Sequence, residues 1–468
     1  MPSLVAAMAI AFAVTIVATL ASPLRQISGD TVPGRLGAAV LRCGGGFDLA
    51  AVDWIARAAA AGRLPYWAQR VGGRVISVFG PGPAVAGALA MPALATGDVV
   101  EDHALRRRER IAAAVLVGLA AALLALATAA RRGLAASAGA GLVGAASFAG
   151  AATLGQGLWQ QTVALPFLVG ALAAIAWRQR APRTAVVAPA LLVAAVLLRP
   201  TMVPLAVGLG VAWCLERCSL RQWAAAAGLA VLAAAPLIAW NAVELGSVLP
   251  LGQIEANRRV TEHVFVLTRG QLGYGLGGLL LSPGRGWLWF APIAVVGAVL
   301  AARRGSRVVR AVAAGVGAQV LVVAMFHMWW GGICFGPRFL AEATWVAIWL
   351  ALGSAGGASR ESAQRSRPSR GTRALLVAAT AVTALVGQLG LWGWRAEQWE
   401  TRRNPDIDQN ALWDVVDSPV VAIVASDIAE QPLALDAPDE PTRLACHDGR
   451  LRAAVGAGGG AASAGGRR

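Results

Sequence analysis

Residues 111–130, IAAAVLVGLAAALLALATAA, carry no charged side chain; Arg131 and Arg132 follow at once, and a second apolar run covers 134–152. As a helix, a run of that length is ~30 Å long and matches the hydrocarbon thickness of a bilayer. Paired Arg at its end is the pattern of a membrane–water boundary. Outward from this point, similar runs occupy 4–21, 162–176, 185–198, 201–215, 222–243, 287–302, 311–326, 340–355 and 374–394. The fold class they predict is an all-α polytopic membrane protein with about eleven transmembrane helices. The whole chain agrees, with 468 residues, 57% hydrophobic and 14% charged and a mean hydropathy of +0.60. Soluble domains carry about 25% charged residues. The first run lacks a positive n-region and Ala21-Ser22-Pro23 is a poor cleavage site, so it reads as a retained span.

Orientation follows from arginine. The chain has 41 basic residues, all Arg, and a net charge of +16. With a cytoplasmic N-terminus, the loops at 131–132, 178–183, 217–221, 303–310 and 360–373 hold 16 Arg inside. The short outer loops hold six: Arg199, Arg258, Arg259, Arg269, Arg285 and Arg338. That split obeys the positive-inside rule. It also requires the Pro-interrupted stretch 81–97 to lie against the membrane without crossing, and it leaves Arg106, Arg107, Arg108 and Arg110 outside. The transmembrane domain is 1–394, with a large first outer loop at 23–110 in which 81–97 is a juxtamembrane or re-entrant segment. Residues 244–286 form a second long outer segment, and 395–468 an outward-facing tail; over 396–468 the tail has 12 acidic residues against 7 Arg. Its end, GAGGGAASAGGRR, has a disordered composition. Because the Arg are scattered between spans, the high charge does not indicate a nucleic-acid partner; the bilayer itself is the partner.

Several chemistries are excluded. Without Lys there is no phosphate-binding loop of the Gly-x-x-x-x-Gly-Lys type, and no HExxH or GxSxG motif occurs. Five Cys support neither a disulfide scaffold nor a zinc module, and Cys214 and Cys218 lack partner ligands, so no metal is predicted. The spans hold almost no carboxylates for ion relay.

Ionisable groups at the outer ends of the spans are the candidate site. Asp30, in SGDTVPGR directly after the first span, is a loop carboxylate held by Gly29 and a Pro-limited turn. Such a residue serves either as a turn cap or as a base. Asp48 precedes an apolar run as a helix cap does. LSPGRGW presents Arg285 on a Pro-Gly turn, suited to a phosphate. HMWWGGICFGPR combines His327, Trp329 and Trp330 with Gly hinges and Arg338; Trp faces serve as interfacial anchors or stack on sugars.

Taken together and in order, GDTVPGR, FGPGPAVAGALAMPAL, LWQQTVALPFL, LLRPT, LLSPGRGWLWFAP and WWGGICFGPRFL resemble bacterial polytopic glycosyltransferases of the C-type membrane fold (GT-C). In plan these are similar to protein O-mannosyltransferases and aminoarabinose transferases, and the resemblance implies juxtamembrane helices in the first outer loop. The resemblance implies transfer of a sugar from a polyprenyl-phosphate donor to an acceptor hydroxyl of the cell envelope, on the outer face of the cytoplasmic membrane, without a cofactor. It implies Asp30 as general base, Arg338, Arg285, Arg35 and Arg199 on the donor phosphate, and Trp329, Trp330, His327 and Gln160 at the sugar or acceptor. The chain departs from the pattern in having Thr31 after Asp30 instead of a second acid, and Trp159-Gln160-Gln161 where relatives read Trp-Gln-His, which moves any His role to His327. The alternatives are a lipid or polysaccharide transporter or scramblase, and an inactive paralogue.

Overall fold

The computed structural model describes residues 2–23, 28–215, 218–247, 271–332, 334–353, 369–393, 403–425 and 443–454. Arg217, Arg258, Arg259, His263, Arg269, Arg360, Arg365, Arg367 and the Gly-rich end lie outside these. The protein is mostly helical, and the predicted spans occur as helices. They are α1 (Pro2–Ala21), α5 (Asp102–Ala129), α6 (Leu134–Ala146), α7 (Gln160–Trp177), α8 (Ala188–Leu198), α9 (Val203–Cys214) and α10 (Leu220–Leu245). After α11 (Leu272–Leu281) and the single turn α12 (Trp287–Phe290) come α13 (Pro292–Arg304), α14 (Arg307–Ala324), α15 (Ala341–Leu352) and α16 (Arg370–Trp392). Among the described residues six helices are long and apolar enough to cross a membrane, or seven if α6 and the bent segment after it make one span. These six or seven helices do not by themselves establish the expected count of about eleven crossings. Pro200, Pro292 and the break at Gly150 cut apolar runs into shorter pieces, since proline lacks the N–H that continues a helix.

α5 is the central post, packed against α1, α6 and α7. α15 is buried along its whole length, with Trp345 and Trp349 fully enclosed. Their indole N–H groups donate to the carbonyls of Ala149 (3.1 Å) and Ala127 (3.3 Å), so two large apolar rings are buried without orphaned donors. The ring of Trp345 fits because residue 144 is glycine: a Cβ there would lie 2.7 Å from it.

The first loop folds on one face of the bundle into α2 (Val32–Arg42), α3 (Asp53–Ala60), the antiparallel hairpin β1 (Ala68–Val71) and β2 (Arg74–Ser77), α4 (Gly82–Leu89) and β3 (Val99–Glu101). At eight residues α4 is far too short to cross a bilayer. Asp48 caps the turn at Leu49–Ala51 and also accepts from Val75 N at 2.9 Å, so the cap ties the hairpin to the loop core. Arg106 pairs with Asp102, and Arg110 donates to the carbonyls of Thr19 and Ser22 at the end of α1. Two of the arginines that the charge rule leaves outside thus have local partners.

The described tail is built into this same face. β3 pairs antiparallel with β4 (Arg443–His447), which pairs with β5 (Arg450–Ala453). A disulfide joins Cys43 at the end of α2 to Cys446 in β4. Five cysteines make no disulfide scaffold, but this one bridge joins residues 403 apart in sequence.

Candidate functional site

Asp30 sits in a one-turn 3₁₀ helix, Gly29–Thr31, whose N-cap is Ser28. The turn runs straight into α2, whose second residue is Pro33, so the carboxylate is carried on a short helical lead-in between α1 and α2. Both carboxylate oxygens are engaged. Arg338 Nη2 lies 2.7 Å from Oδ2, and the Tyr66 hydroxyl donates to Oδ1 at 2.7 Å. The Asp30 side chain is 22% exposed.

Arg338 opens the turn Arg338–Leu340 ahead of α15. The preceding loop reaches it through Gly331, Gly332 and Gly336, all with φ between 71 and 83, a backbone that glycine adopts without a Cβ clash. The residue is buried, and its guanidinium lies over the rings of Trp159 (5.8 Å) and Phe339 (5.6 Å). Its Nε and Nη1 have no hydrogen-bond partner among the described residues. A guanidinium carries five N–H groups in a fixed fork, so this one grips Asp30 with one arm and presents unused donors.

Arg199 also lies near the Phe339 ring, at 5.8 Å, and its Nε lies 2.6 Å from Glu342 Oε1 in the first turn of α15. Two buried Arg and two acids thus form one compact, charge-balanced cluster at the bundle mouth. Unpaired buried ions are costly, and each pair here neutralises the other's field.

The other predicted residues take different places. Arg35 is buried in α2, with Nε 3.1 Å from Asp102 and Nη1 3.4 Å from Glu109; Glu109 also accepts from Leu158 N at 3.0 Å. Arg35 thereby clamps the first loop to α5 and the segment before α7. Arg285 is wholly buried and donates to the carbonyls of Trp330 (3.3 Å), Gly284 (2.9 Å) and Gly332 (3.2 Å). Its fork braces the glycine loop that carries Arg338. Trp329 and Trp330 are fully buried, which leaves no ring face open; the Trp330 indole donates to Asp406 of the tail at 2.7 Å. His327 is exposed and its Nδ1 is 2.9 Å from Gln271 Nε2. Gln160 donates to Phe79 O at 2.8 Å, tying α7 to the first loop beside Trp159. Among the described residues no group of three His, Cys, Asp or Glu is placed to hold a metal ion.

Comparison with protein-family models, curated proteins and solved structures finds no match.

Sequence reasoning missed Tyr66, Glu342, Glu109 and Asp406. Tyr66 lies in Leu64-Pro65-Tyr66-Trp67, which has no periodic or motif signal. Its phenol is pushed well above the usual tyrosine range, first by burial around the hydroxyl and then by the negative charge of Asp30. It therefore stays a protonated donor at every physiological pH.

Proposed function

We propose that this multi-pass membrane protein is an inverting glycosyltransferase that moves a sugar from a polyprenyl-phosphate donor to an acceptor hydroxyl. The observation that carries this reading is the Asp30–Arg338 contact: a partly exposed carboxylate and a buried guanidinium with two unpartnered donors share one mouth of the helix bundle. Asp30 would accept the acceptor proton as its oxygen attacks the anomeric carbon, a general-base step contributing about 10²–10⁴-fold. The glycosidic C–O bond to phosphate breaks on the opposite face of the sugar, and the departing lipid phosphate takes up negative charge. Arg338 Nε and Nη1, with Arg199 beside the same Phe339 ring, are the groups suited to receive that charge. Arg35, ion-paired with Asp102 and Glu109, and Arg285, donating to three carbonyls, hold the frame.

The site face is read as the outer face of the cytoplasmic membrane, with the N-terminus inside and the C-terminus outside. The distribution of Arg and the Cys43–Cys446 disulfide both support this, because disulfides persist in oxidising compartments. The test is consumption of a polyprenyl-phosphate sugar by purified protein in detergent, where no membrane gradient exists. Turnover with release of polyprenyl phosphate supports the enzyme. Binding of the lipid without turnover favours a transporter or scramblase.

A further inference from the structure

The hydroxyl of Tyr66 stands where an acceptor hydroxyl has to stand. A general base takes its proton from an oxygen within about 2.6–3.2 Å, and the Tyr66 oxygen is 2.7 Å from Asp30 Oδ1. Arg338 occupies the other carboxylate oxygen, so Oδ1 is the one available for proton transfer. Tyr66 comes from the first loop just before β1, and 54% of the residue is exposed, so it can swing outward without opening the core. The phenol sits against Gly29: a Cβ there would lie 2.5 Å from the phenol oxygen, so the glycine leaves room for the ring in this seat. Asp406 of the tail is close enough to act electrostatically on the phenol, and its carboxylate is anchored by the Trp330 indole.

We propose that the Tyr66 side chain is a displaceable plug in the acceptor-hydroxyl subsite, keeping water off Asp30 Oδ1 until an alcohol acceptor takes the phenol's place. This rests on the glycosyltransferase reading. In the resting protein the phenol keeps its own proton and forms no bond to the sugar. When the acceptor alcohol replaces it, Asp30 takes that alcohol's proton, the new C–O bond forms, and the phosphate leaves with the electrons of the old one. Without the plug, water occupies the subsite and the same step hydrolyses the donor to free sugar and polyprenyl phosphate. Tyr66 is in this sense a positioning residue that selects alcohol over water.

The experiment has two readouts on the full chain in lipid nanodiscs. In the first, a water-soluble carbodiimide with glycine ethyl ester labels carboxyl groups, and Asp30 is quantified by peptide mass spectrometry. Labelling of Asp30 should rise roughly tenfold in Tyr66→Ala, and by a smaller factor in Tyr66→Phe, which loses the hydrogen bond but keeps the ring. Labelling of Asp53 serves as the internal reference for a folded first loop. An unchanged Asp30 rate in Tyr66→Ala overturns the plug. In the second, release of free sugar from polyprenyl-phosphate sugars should increase several-fold in Tyr66→Phe and vanish in the double variant with Asp30→Asn. Loss of both transfer and hydrolysis in Tyr66→Phe would make the phenol a required group and also overturns the plug. If the labelling contrast holds but Asp30→Asn still transfers sugar, the base assignment fails while the shielding of Asp30 stands.

Discussion

Arg338 Nη2 meets Asp30 Oδ2 at 2.7 Å, joining the first loop to the turn that precedes α15. The contact depends on two frames that the pair does not share: the Arg35 clamp on α5 and the Arg285 brace under the glycine loop. The Arg285 brace can be tested directly.

Arg285→Lys keeps the positive charge but cannot fork to three carbonyls. We expect loss of stability and displacement of the 329–338 loop, read as a lower Tm in detergent and protease cleavage within that loop. A variant as stable as the parent but unable to retain the lipid donor would instead put Arg285 on the phosphate.

Glu342→Gln leaves Arg199 as a buried, unneutralised cation. Removing one partner of such a pair costs about 3–5 kcal/mol, whereas replacing both by apolar residues is often mild. Thermal denaturation should therefore rank the double variant Arg199→Met with Glu342→Leu above Glu342→Gln alone. The opposite ranking would show that the two charges do not compensate each other.

The chain has two tyrosines, and Tyr274→Phe leaves Tyr66 alone to report its ionisation. Because the folded protein holds the Tyr66 phenol neutral above the ordinary value near pH 10, the tyrosinate absorbance band should stay absent through about pH 11. The sign for stability follows: the contribution is fully present below the unfolded value and is lost as pH rises through the folded one. Asp30→Asn should bring ionisation to lower pH, since the adjacent negative charge is one of its causes. A phenol titrating normally in the folded protein would remove the hydrogen bond to Asp30.

A non-reducing peptide map should contain one cross-linked species bearing Cys43 and Cys446. Replacing both with serine should cost roughly 2–4 kcal/mol, a typical disulfide contribution, and loosen β4 from β3. After reduction of intact cells, a membrane-impermeant thiol reagent should reach Cys43; labelling only after lysis would reverse the proposed orientation.

What the sequence makes legible follows physical range. Apolar period and length mark α1, α5, α7, α10, α14 and α16, because a helix reports its burial along contiguous residues. Where Pro292 and Gly150 interrupt the runs, the apolar stretches appear as shorter helical pieces. Asp30 and Arg338 stand out through local turn chemistry, Gly-Asp before Pro and Gly-Pro-Arg after paired glycines. That they touch is a tertiary fact, as are the ion pairs of Arg35 with Asp102 and Glu109 and the bonds of Arg285 to Trp330 and Gly332. The surrounding partners leave no local trace. Tyr66 is a single aromatic in a loop, Glu342 looks like an ordinary first-turn acid, and Asp406 lies in an acidic tail where any one carboxylate resembles the next. Cys43 and Cys446 are two of five cysteines with no spacing to pair them. The strands are equally hidden, because β3 is only three residues long and finds its partner in the tail.

The most direct test is sugar transfer by Asp30→Asn. This variant keeps the size of the side chain and an oxygen able to accept from Tyr66, but cannot accept a proton. Purified parent and variant are given the same polyprenyl-phosphate sugar, and release of polyprenyl phosphate is followed together with thermal stability. The prediction is a fall in turnover by about 10²–10⁴-fold with the lipid donor still bound through Arg338. Turnover equal to that of the parent would contradict Asp30 as the base.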